Sequence, residues 1–497
     1  MNYSDLLDRA DQVKIDILKY LIFYPKEAKK KTIYRKLELS PQVFNIYLDE
    51  LNYEIVQKMG IEAEIVEHKS KLALKKAKNV YLFDFVDYYL KKSYKYKILL
   101  YLLENGGFTY SALENYLIAS RSTVYRKLME LNVSLQEFNI EVSNGEMKGS
   151  ETQIRYFFYL FIDTFKVNYL KKENEKKKFS NIIKRFEDSF GYPLADTTKN
   201  KMEIWMYVVY RRYSIHNEFN FNEKLNLVEL MQYSKFYKKV RTILIDSGQK
   251  DKFISSESDR VYAYAMSFYF DFFSERFQEY LQWDVQIKKE YHELEQTSDL
   301  IRDFIMDKFS IDDLSKRKYD KIQFLLMQEI LLLMSFSGYI FSYDEDNFTY
   351  SINSHQKTLF VKHADEFIEK VCTIWNIKEL DFKKSSHRNF RYKIIGIFRY
   401  IELLTESPLQ IAIRIQGNLL TQSLIQKIWE RYLKGTISIA IQPYVEENKK
   451  NYDLIISNHR SIEDTEEDNI YVLSDLNAEF DIEQVKNMLK SIRVKDI

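Results

Sequence analysis

The sequence predicts a mainly α-helical, multidomain protein with two winged helix-turn-helix units near its start and a small α/β domain at its end. A chain of 497 residues is too long for a single core. Only 11 Gly and 5 Pro interrupt it, which favours long helices. A pattern of three helices followed by two strands occurs twice in the N-terminal part. We expect two winged domains, two helical bundles and the α/β domain, at residues 1–80, 81–165, 166–283, 284–405 and 406–497.

The first unit is predicted within residues 12–60. A basic run leads into its second helix, expected from about Thr32 to Leu37. Ser40 followed by Pro41 predicts the start of the third helix, because Ser caps a helix well and Pro suits its first turn. The next stretch, "IEAEIVEHKSKLALKKA", alternates apolar and polar residues, which is typical of a strand hairpin or wing.

The same order of elements returns further along the chain. The stretches "YKYKILLYLLE", "YSALENYL" and "SRSTVYRKLMEL" predict three helices, with Thr109 as the cap of the second. The pair Asn144-Gly145 in "FNIEVSNGEMKGS" is a strong signal for a tight hairpin. Glu38 and Ile118 stand where the turn between the last two helices usually has glycine, so we expect both turns to be atypical.

The remainder divides into a helical part and an α/β part. From Glu151 to about Tyr400 the pattern is helical throughout, and we place the division between two bundles near Trp283. The apolar run "FLLMQEILLLMSF" is shorter than the roughly 20 residues of a membrane span and predicts a buried helix. After Pro408, strands alternate with helices, which indicates a mostly parallel sheet.

The second helix-turn-helix unit has the pattern of a DNA-reading element. Its last helix would point Val124, Leu128 and Leu131 at the core and other side chains at the major groove. The candidate DNA contacts are Arg121, Ser122, Thr123, Tyr125, Arg126 and Lys127 there, and Gln42, Asn45, Lys31 and Arg35 in the first unit. Further lysines suited to phosphates are Lys91, Lys92, Lys95 and Lys97. Since the net charge is only +1, any DNA surface must be local.

Other classes of function find little support in the sequence. The single cysteine, Cys372, excludes disulfide frameworks and cysteine-based zinc sites, and its apolar surroundings predict a buried thiol. Neither a glycine-rich phosphate loop nor an "HExxH" motif is present, so we expect no enzyme, metal or cofactor. The start of the chain lacks a signal-peptide pattern, which predicts a cytoplasmic protein without a membrane partner.

The order of these parts resembles the Mga-type virulence regulators of Gram-positive bacteria, which include the RofA-like and AtxA regulators. The resemblance is carried by "SRSTVYRKLMEL", by "NGEMKGSETQIRYFFYLF" and by "PLQIAIRIQGNLLTQSLIQKIWERYL…YDLIISNH", in that order. It implies that the second unit is the more important for DNA, that virulence-associated genes are activated, and that the C-terminal domain is similar to a phosphotransferase EIIB subunit. That domain would mediate self-association into a homodimer or a larger homo-oligomer.

The resemblance also implies control by the sugar phosphotransferase system. The helical domains are similar to phosphotransferase regulation domains, whose histidines accept phosphate from phosphocarrier proteins. By position, His216 and His387 are the candidates. An active EIIB subunit has a cysteine after its first strand, but this chain has Gln416, Gly417 and Asn418, so transfer through a thiol is excluded there.

Two alternatives remain open at this point. The chain could be a phosphotransferase-system adaptor that docks carrier proteins without specific DNA binding. An RNA-binding antiterminator is a weaker alternative, because the N-terminal part predicts helices and not a small β-rich RNA module.

Overall fold

In the computed structural model, the described residues are 1–25, 28–167, 173–213, 215, 235–248, 254, 260, 262, 263, 266, 292–309, 315–341, 354–378, 380–405, 408–433, 438–459, 469–474 and 479–495. The chain divides into two compact units. The first comprises Met1–Phe304, Lys316–Ser351 and His363–Ile397, and the second comprises Ile305–Ser315, Ile352–Lys362 and Phe398–Ile497.

The N-terminal unit contains four helices and a hairpin. Helices α1 to α4 and strands β1 and β2 span Tyr3–Leu6, Arg9–Phe23, Lys30–Lys36, Pro41–Gln57, Ala63–His68 and Lys71–Lys76. The Ser40 hydroxyl accepts a hydrogen bond from the Val43 amide at 3.3 Å, and Pro41 is the first residue of α4. The predicted cap, first-turn proline and antiparallel wing are therefore confirmed.

The second unit repeats this plan. Helices α5 to α8, strands β3 and β4, and helix α9 span Leu82–Lys92, Tyr94–Asn105, Tyr110–Leu117, Arg121–Leu135, Ile140–Ser143, Glu146–Gly149 and Glu151–Phe165. The Thr109 hydroxyl caps α7 through the Ala112 amide at 3.3 Å. The predicted hairpin at Asn144-Gly145 is confirmed, and both turn residues have positive φ. Helix α8 continues beyond its predicted end, and the sequence patterns did not indicate α1 or α5.

Each wing is bonded to the segment that precedes its helix-turn-helix. In the first unit, the Leu72 amide donates to the Ala28 carbonyl at 2.8 Å. In the second, the Phe108 amide donates to the Gly145 carbonyl at 2.8 Å. A Cβ atom on Gly145 would lie 2.0 Å from the Phe108 oxygen, so this contact requires glycine. The shared connection is independent support for a tandem repeat.

The helical part follows α9. Helices α10 to α16 span Glu173–Phe190, Asp196–Tyr213, Lys235–Gly248, His292–Lys308, Lys316–Ser335, Ser354–Ile374 and Ser385–Thr405. The run that predicted a buried helix lies in α14, where Leu326 and Ile330 are fully buried. The expected division near Trp283 lies outside the described residues. Within the described residues, no helix is long and apolar enough to cross a membrane.

The C-terminal part confirms the predicted small parallel sheet. Strands β5 to β8 and helices α17 and α18 span Leu409–Arg414, Ile439–Pro443, Leu454–Ser457, Ile470–Val472, Leu419–Leu433 and Glu479–Lys495. The strands are all parallel, in the order β6-β5-β7-β8. Ile411, Leu454 and Trp429 belong to its apolar core.

Both helix-turn-helix turns keep a left-handed residue although neither has glycine there. Glu38 has φ of 55° and Ile118 has φ of 53°. Ile118 is β-branched and 90% exposed. Burial of its side chain therefore does little to offset the backbone strain of about 1–2 kcal/mol. The turns are thus atypical in residue type, as expected, but not in backbone conformation.

We expect Ile118→Gly to stabilise the turn by about 1 kcal/mol, because glycine adopts positive φ without strain while losing somewhat more entropy on folding. Hydrogen exchange of peptides from α7 and α8 in the intact chain measures the local opening free energy. Val133→Gly, at an exposed position of α8, is the control and should destabilise by about 0.5 kcal/mol. An unchanged or lower opening energy for Ile118→Gly would contradict this assignment of strain.

Candidate nucleic-acid interface

The outer face of α8 presents the side chains that the sequence pattern predicted to point outward. Arg121 and Ser122 are exposed, Tyr125 is 58% exposed, and the Arg126 side chain is 68% exposed. Thr123 is half-buried. The opposite face consists of the buried Val124, Leu128 and Leu131. The helix therefore has one apolar face on the core and one polar face available to a ligand.

Local contacts orient the two arginines of this face. The Arg121 guanidinium lies 5.2 Å from the centre of the Tyr110 ring, a cation–π contact that links α8 to α7. The Nε atom of Arg126 is 4.0 Å from the Glu130 carboxylate, at the limit of an ion pair. Since such exposed contacts are weak, both guanidinium groups remain able to donate two hydrogen bonds to a guanine edge or a phosphate.

Lys127 does not lie on this face, which corrects its placement among the DNA contacts. Its side chain is 8% exposed, and its Nζ atom lies 2.5 Å from Asp8 and 2.9 Å from Glu130. Burial lowers the pKa of Lys127, but its hydrogen bonds to Asp8 and Glu130 outweigh that effect and leave the pKa raised. The Lys127 ammonium group thus forms an ion pair that links α8 to the start of α2.

The lysine run before the second helix-turn-helix is also engaged within the fold. Lys95 is buried, donates to the Leu7 carbonyl at 3.3 Å, and has a pKa lowered by burial. Lys92 lies 2.9 Å from the Glu54 carboxylate, and Lys91 lies 2.5 Å from Asp87. Lys95 is thereby unable to face phosphates, whereas the side chains of Lys91 and Lys92 are 68% and 44% exposed and remain candidates for such contacts.

The first unit presents a different charge pattern. Gln42 and Asn45 are exposed on α4, as predicted, but α4 contains no Lys or Arg. Asp49 and Glu50 are exposed on the same helix, where they would repel phosphates. By contrast, α8 carries two exposed arginines, so its outer face is better suited to DNA.

Basic side chains of the first unit gather beside α4, on α3 and the wing. Lys31 and Arg35 of α3 are exposed, as are Lys69 and Lys71 of the wing. The bridge between Lys29 and Lys71 brings the start of α3 and the wing together. Sequence reasoning missed the wing lysines, although the "HKSKL" stretch at the predicted hairpin tip could have indicated them.

A buried carboxylate joins the first unit to α5. Glu54 of α4 accepts hydrogen bonds from Lys14 at 3.1 Å, the Tyr89 hydroxyl at 2.7 Å and Lys92 at 2.9 Å. Burial raises the pKa of Glu54, but the bonds from Tyr89, Lys92 and Lys14 lower it by more. The carboxylate is therefore ionised at neutral pH, and it holds three helices, α2, α4 and α5, in one arrangement.

Of the predicted phosphorylation and EIIB-type positions, the structure describes His387 and the segment after β5. His216 is outside the described residues. His387 is half-buried in the first turn of α16, with Nδ1 3.2 Å from the Asp381 carbonyl oxygen. After β5, the Gln416 amide donates to the Asn458 side chain at 2.9 Å, and Asn418 caps α17 through the Thr421 amide at 2.9 Å.

Two further features of the described residues bear on site chemistry. The predicted buried thiol, Cys372, is half-buried, and burial raises its pKa. In the part of the chain that the structure describes, no three His, Cys, Asp or Glu side chains are grouped so as to hold a metal ion.

Comparison with known protein families gives a match in the second unit. Residues 78–162 match the family model of the Mga helix-turn-helix domain, a range that begins just before α5 and ends within α9. This match is consistent with a Mga-type regulator and indicates a DNA-binding regulator. No curated protein matches the chain.

We expect Glu54→Ala to destabilise the fold by about 3 kcal/mol, because it leaves the buried Lys14 without this partner. Tyr89→Phe removes one hydrogen bond and should cost about 1 kcal/mol. Urea unfolding followed by circular dichroism measures both differences. Equal stability of Glu54→Ala and the unaltered chain at neutral pH would contradict the role given to this carboxylate.

The contribution of Glu54 should depend on pH in one direction. Since the pKa of Glu54 is lowered in the folded state, its stabilisation is complete above the ordinary value of 4.5 and is lost as pH falls through the folded-state pKa. The stability difference between the unaltered chain and Glu54→Ala should thus shrink below pH 4.5. If this stability difference grew on acidification, a titrating group other than Glu54 would determine its pH dependence.

Proposed function

We propose that this chain is a DNA-binding transcriptional regulator whose second winged helix-turn-helix reads the DNA through the outer face of α8. The observation that carries the proposal is the exposure of Arg121, Ser122, Tyr125 and Arg126 on one face of the helix that follows the turn. The family match to the same residues supports it. Base contacts would come from the N-terminal turns of α8, in the major groove.

In this proposal the first unit contributes mainly contacts to the DNA backbone. Lys31, Arg35, Lys69 and Lys71 are exposed on α3 and the wing, where they suit phosphates. Gln42 and Asn45 remain candidates for base contacts, although the carboxylates farther along α4 oppose a close approach to DNA. The first unit would therefore add affinity more than sequence preference.

The finer parts of the proposal rest on the resemblance to Mga-type regulators. The chain would activate virulence-associated genes, act without a cofactor and not be an enzyme. Its C-terminal domain, whose parallel strand order suits an EIIB-like fold, would mediate homodimers or larger homo-oligomers. Phosphocarrier proteins would regulate it through His216 and His387. A phosphate on His387 would add about two negative charges close to Lys383, Lys384 and Arg388.

We expect Arg126→Ala and Arg121→Ala each to weaken binding to upstream DNA about tenfold, since each removes a guanidinium that can contact a base edge. Gel shifts at physiological salt with competitor DNA measure the affinity. If an arginine also contacts a phosphate, its replacement should reduce the slope of log affinity against log salt concentration by about one.

Arg431→Ala, an exposed arginine of α17, is the matched control and should bind like the unaltered chain. Full binding by both α8 variants would overturn the assignment of α8. Failure of the unaltered chain to bind any upstream DNA would favour the alternative of a phosphotransferase-system adaptor.

We expect purified phosphotransferase proteins and labelled phosphoenolpyruvate to label the chain, with less label on His216→Ala and His387→Ala. Histidine phosphates are the products that this transfer would give. Replacing an exposed histidine that is not proposed as a site, His292, provides the control. Unchanged labelling in the double variant would rule out both positions.

A further inference from the structure

The second half of α8 carries an apolar surface that the proposed DNA contacts do not include. Met129 is 53% exposed and Val133 is 68% exposed. They follow Ser122 and Arg126 at steps of four, three and four residues, so the four side chains form one stripe along the outer face of the helix. The stripe offers hydrogen-bonding groups at its start and becomes apolar from Met129 onward.

Tyr125 widens this apolar surface on one side of the stripe. It is exposed and precedes Met129 by four residues, so the two side chains are neighbours on the surface of the helix. The unbranched thioether side chain of Met129 has three rotatable bonds and adapts to the shape that it meets. Arg126, three residues before Met129, places a guanidinium group beside the same surface.

Along α8, which the structure describes throughout, no exposed carboxylate interrupts this surface. Glu130 lies on the flank of the helix and is half-buried. Its carboxylate is 2.9 Å from the ammonium group of the buried Lys127. The outer face of α8 therefore presents cationic, hydroxyl and apolar groups to a duplex, while the negative charge beside it is paired within the fold.

The first winged unit differs at the corresponding position. Ser40 and Ser120 cap α4 and α8, and the ninth residue is Asp49 in α4 and Met129 in α8. A carboxylate is strongly hydrated, so packing it against an apolar group is unfavourable. Of the two units, the second alone has an apolar side chain at this position.

The spacing of these residues is that of side chains that reach base edges. Recognition helices can contact bases with four residues at positions i, i+3, i+4 and i+7. Ser122, Tyr125, Arg126 and Met129 have this spacing, and Val133 lies one turn beyond it. Met129 is about 4.5 Å from Arg126 along the helix axis, and successive base pairs are about 3.4 Å apart. The two side chains would therefore meet neighbouring base pairs.

We propose that Met129, supported by Tyr125, packs on the 5-methyl group of a thymine next to a guanine that Arg126 contacts. Met129 is then a residue that determines specificity, and the site read by α8 contains thymine at this position. The methyl group of thymine is the apolar group that base edges expose in the major groove. The inference rests on the proposed function, because it names a base in the DNA that α8 would read.

Removal of the methyl group from the DNA tests this contact. The full chain first selects duplexes from a pool of random sequence. Gel shifts at physiological salt then compare a selected duplex with the same duplex carrying deoxyuridine in place of every thymine. The two duplexes offer the same hydrogen-bonding groups and differ in the methyl groups. We expect the unaltered chain to prefer thymine about fourfold for each methyl group that it covers.

Variants of Met129 assign the preference to this side chain. Met129→Ala should bind the thymine duplex about fourfold more weakly and the uracil duplex unchanged, so the preference disappears. Met129→Leu should keep the preference, because leucine is apolar and similar in volume. Val133→Ala, an exposed apolar residue of the same stripe, is the matched control and should also keep it. The slope of log affinity against log salt concentration should be equal in all four proteins, because no phosphate contact is lost.

The possible failures are distinguishable. Equal affinity of the unaltered chain for the two duplexes would overturn the thymine contact and leave the proposed function in place. An unchanged preference in Met129→Ala, or a lost preference in Val133→Ala, would overturn the role of Met129. Weaker self-association of Met129→Ala in sedimentation, at unchanged DNA affinity, would overturn the proposal in favour of a second copy of the chain on this surface. A chain that selects no duplex would instead contradict the proposed function.

Discussion

The buried carboxylate of Glu54 determines how the N-terminal part of the chain is arranged. A charge removed from water is stable only if its partners stay within hydrogen-bond distance. The partners of Glu54 come from α2 and α5, so these helices and α4 must fold in one relative position. The Lys127 contact with Asp8 applies the same constraint between α2 and α8. Helices α4 and α8 are thereby both tied to α2.

In this arrangement, some basic side chains hold helices together and others are exposed to a ligand. The sequence patterns had not distinguished these two roles. The buried ammonium groups of Lys14, Lys95 and Lys127 stabilise contacts between helices. The exposed guanidinium groups of Arg121 and Arg126 remain available to a ligand. The outer face of α4 lacks basic residues, so the two winged units are similar in backbone and different in charge. A repeated fold therefore does not imply a repeated function, because the function depends on the side chains of each copy.

Local signals were enough to predict much of this fold. Ser40, Thr109 and Asn144-Gly145 act within a few residues of themselves, so their caps and turn could be inferred directly. The role of Lys127 depends on Asp8, which is 119 positions away, and no local pattern reveals such a partner. Helix α5 was missed for a related reason, since its lysine-rich end suggested an exposed basic surface and its contacts with Glu54 are tertiary. The outward positions of Arg121, Ser122, Tyr125 and Arg126 were predictable because the helical spacing of Val124, Leu128 and Leu131 decides which face is buried.

The bond between Phe108 and Gly145 has a consequence for how the second unit would meet a duplex. The hairpin turn is bonded to the segment before α7, and the Asn132 side chain of α8 bonds both backbone groups of Val142 in β3, so the wing and α8 are held together. The wing and α8 would therefore keep a fixed separation when the unit meets DNA. A DNA segment that fits both must already have the matching groove width or must deform at an energetic cost that varies with its sequence. Selectivity would then include the stiffness of base steps that no side chain touches.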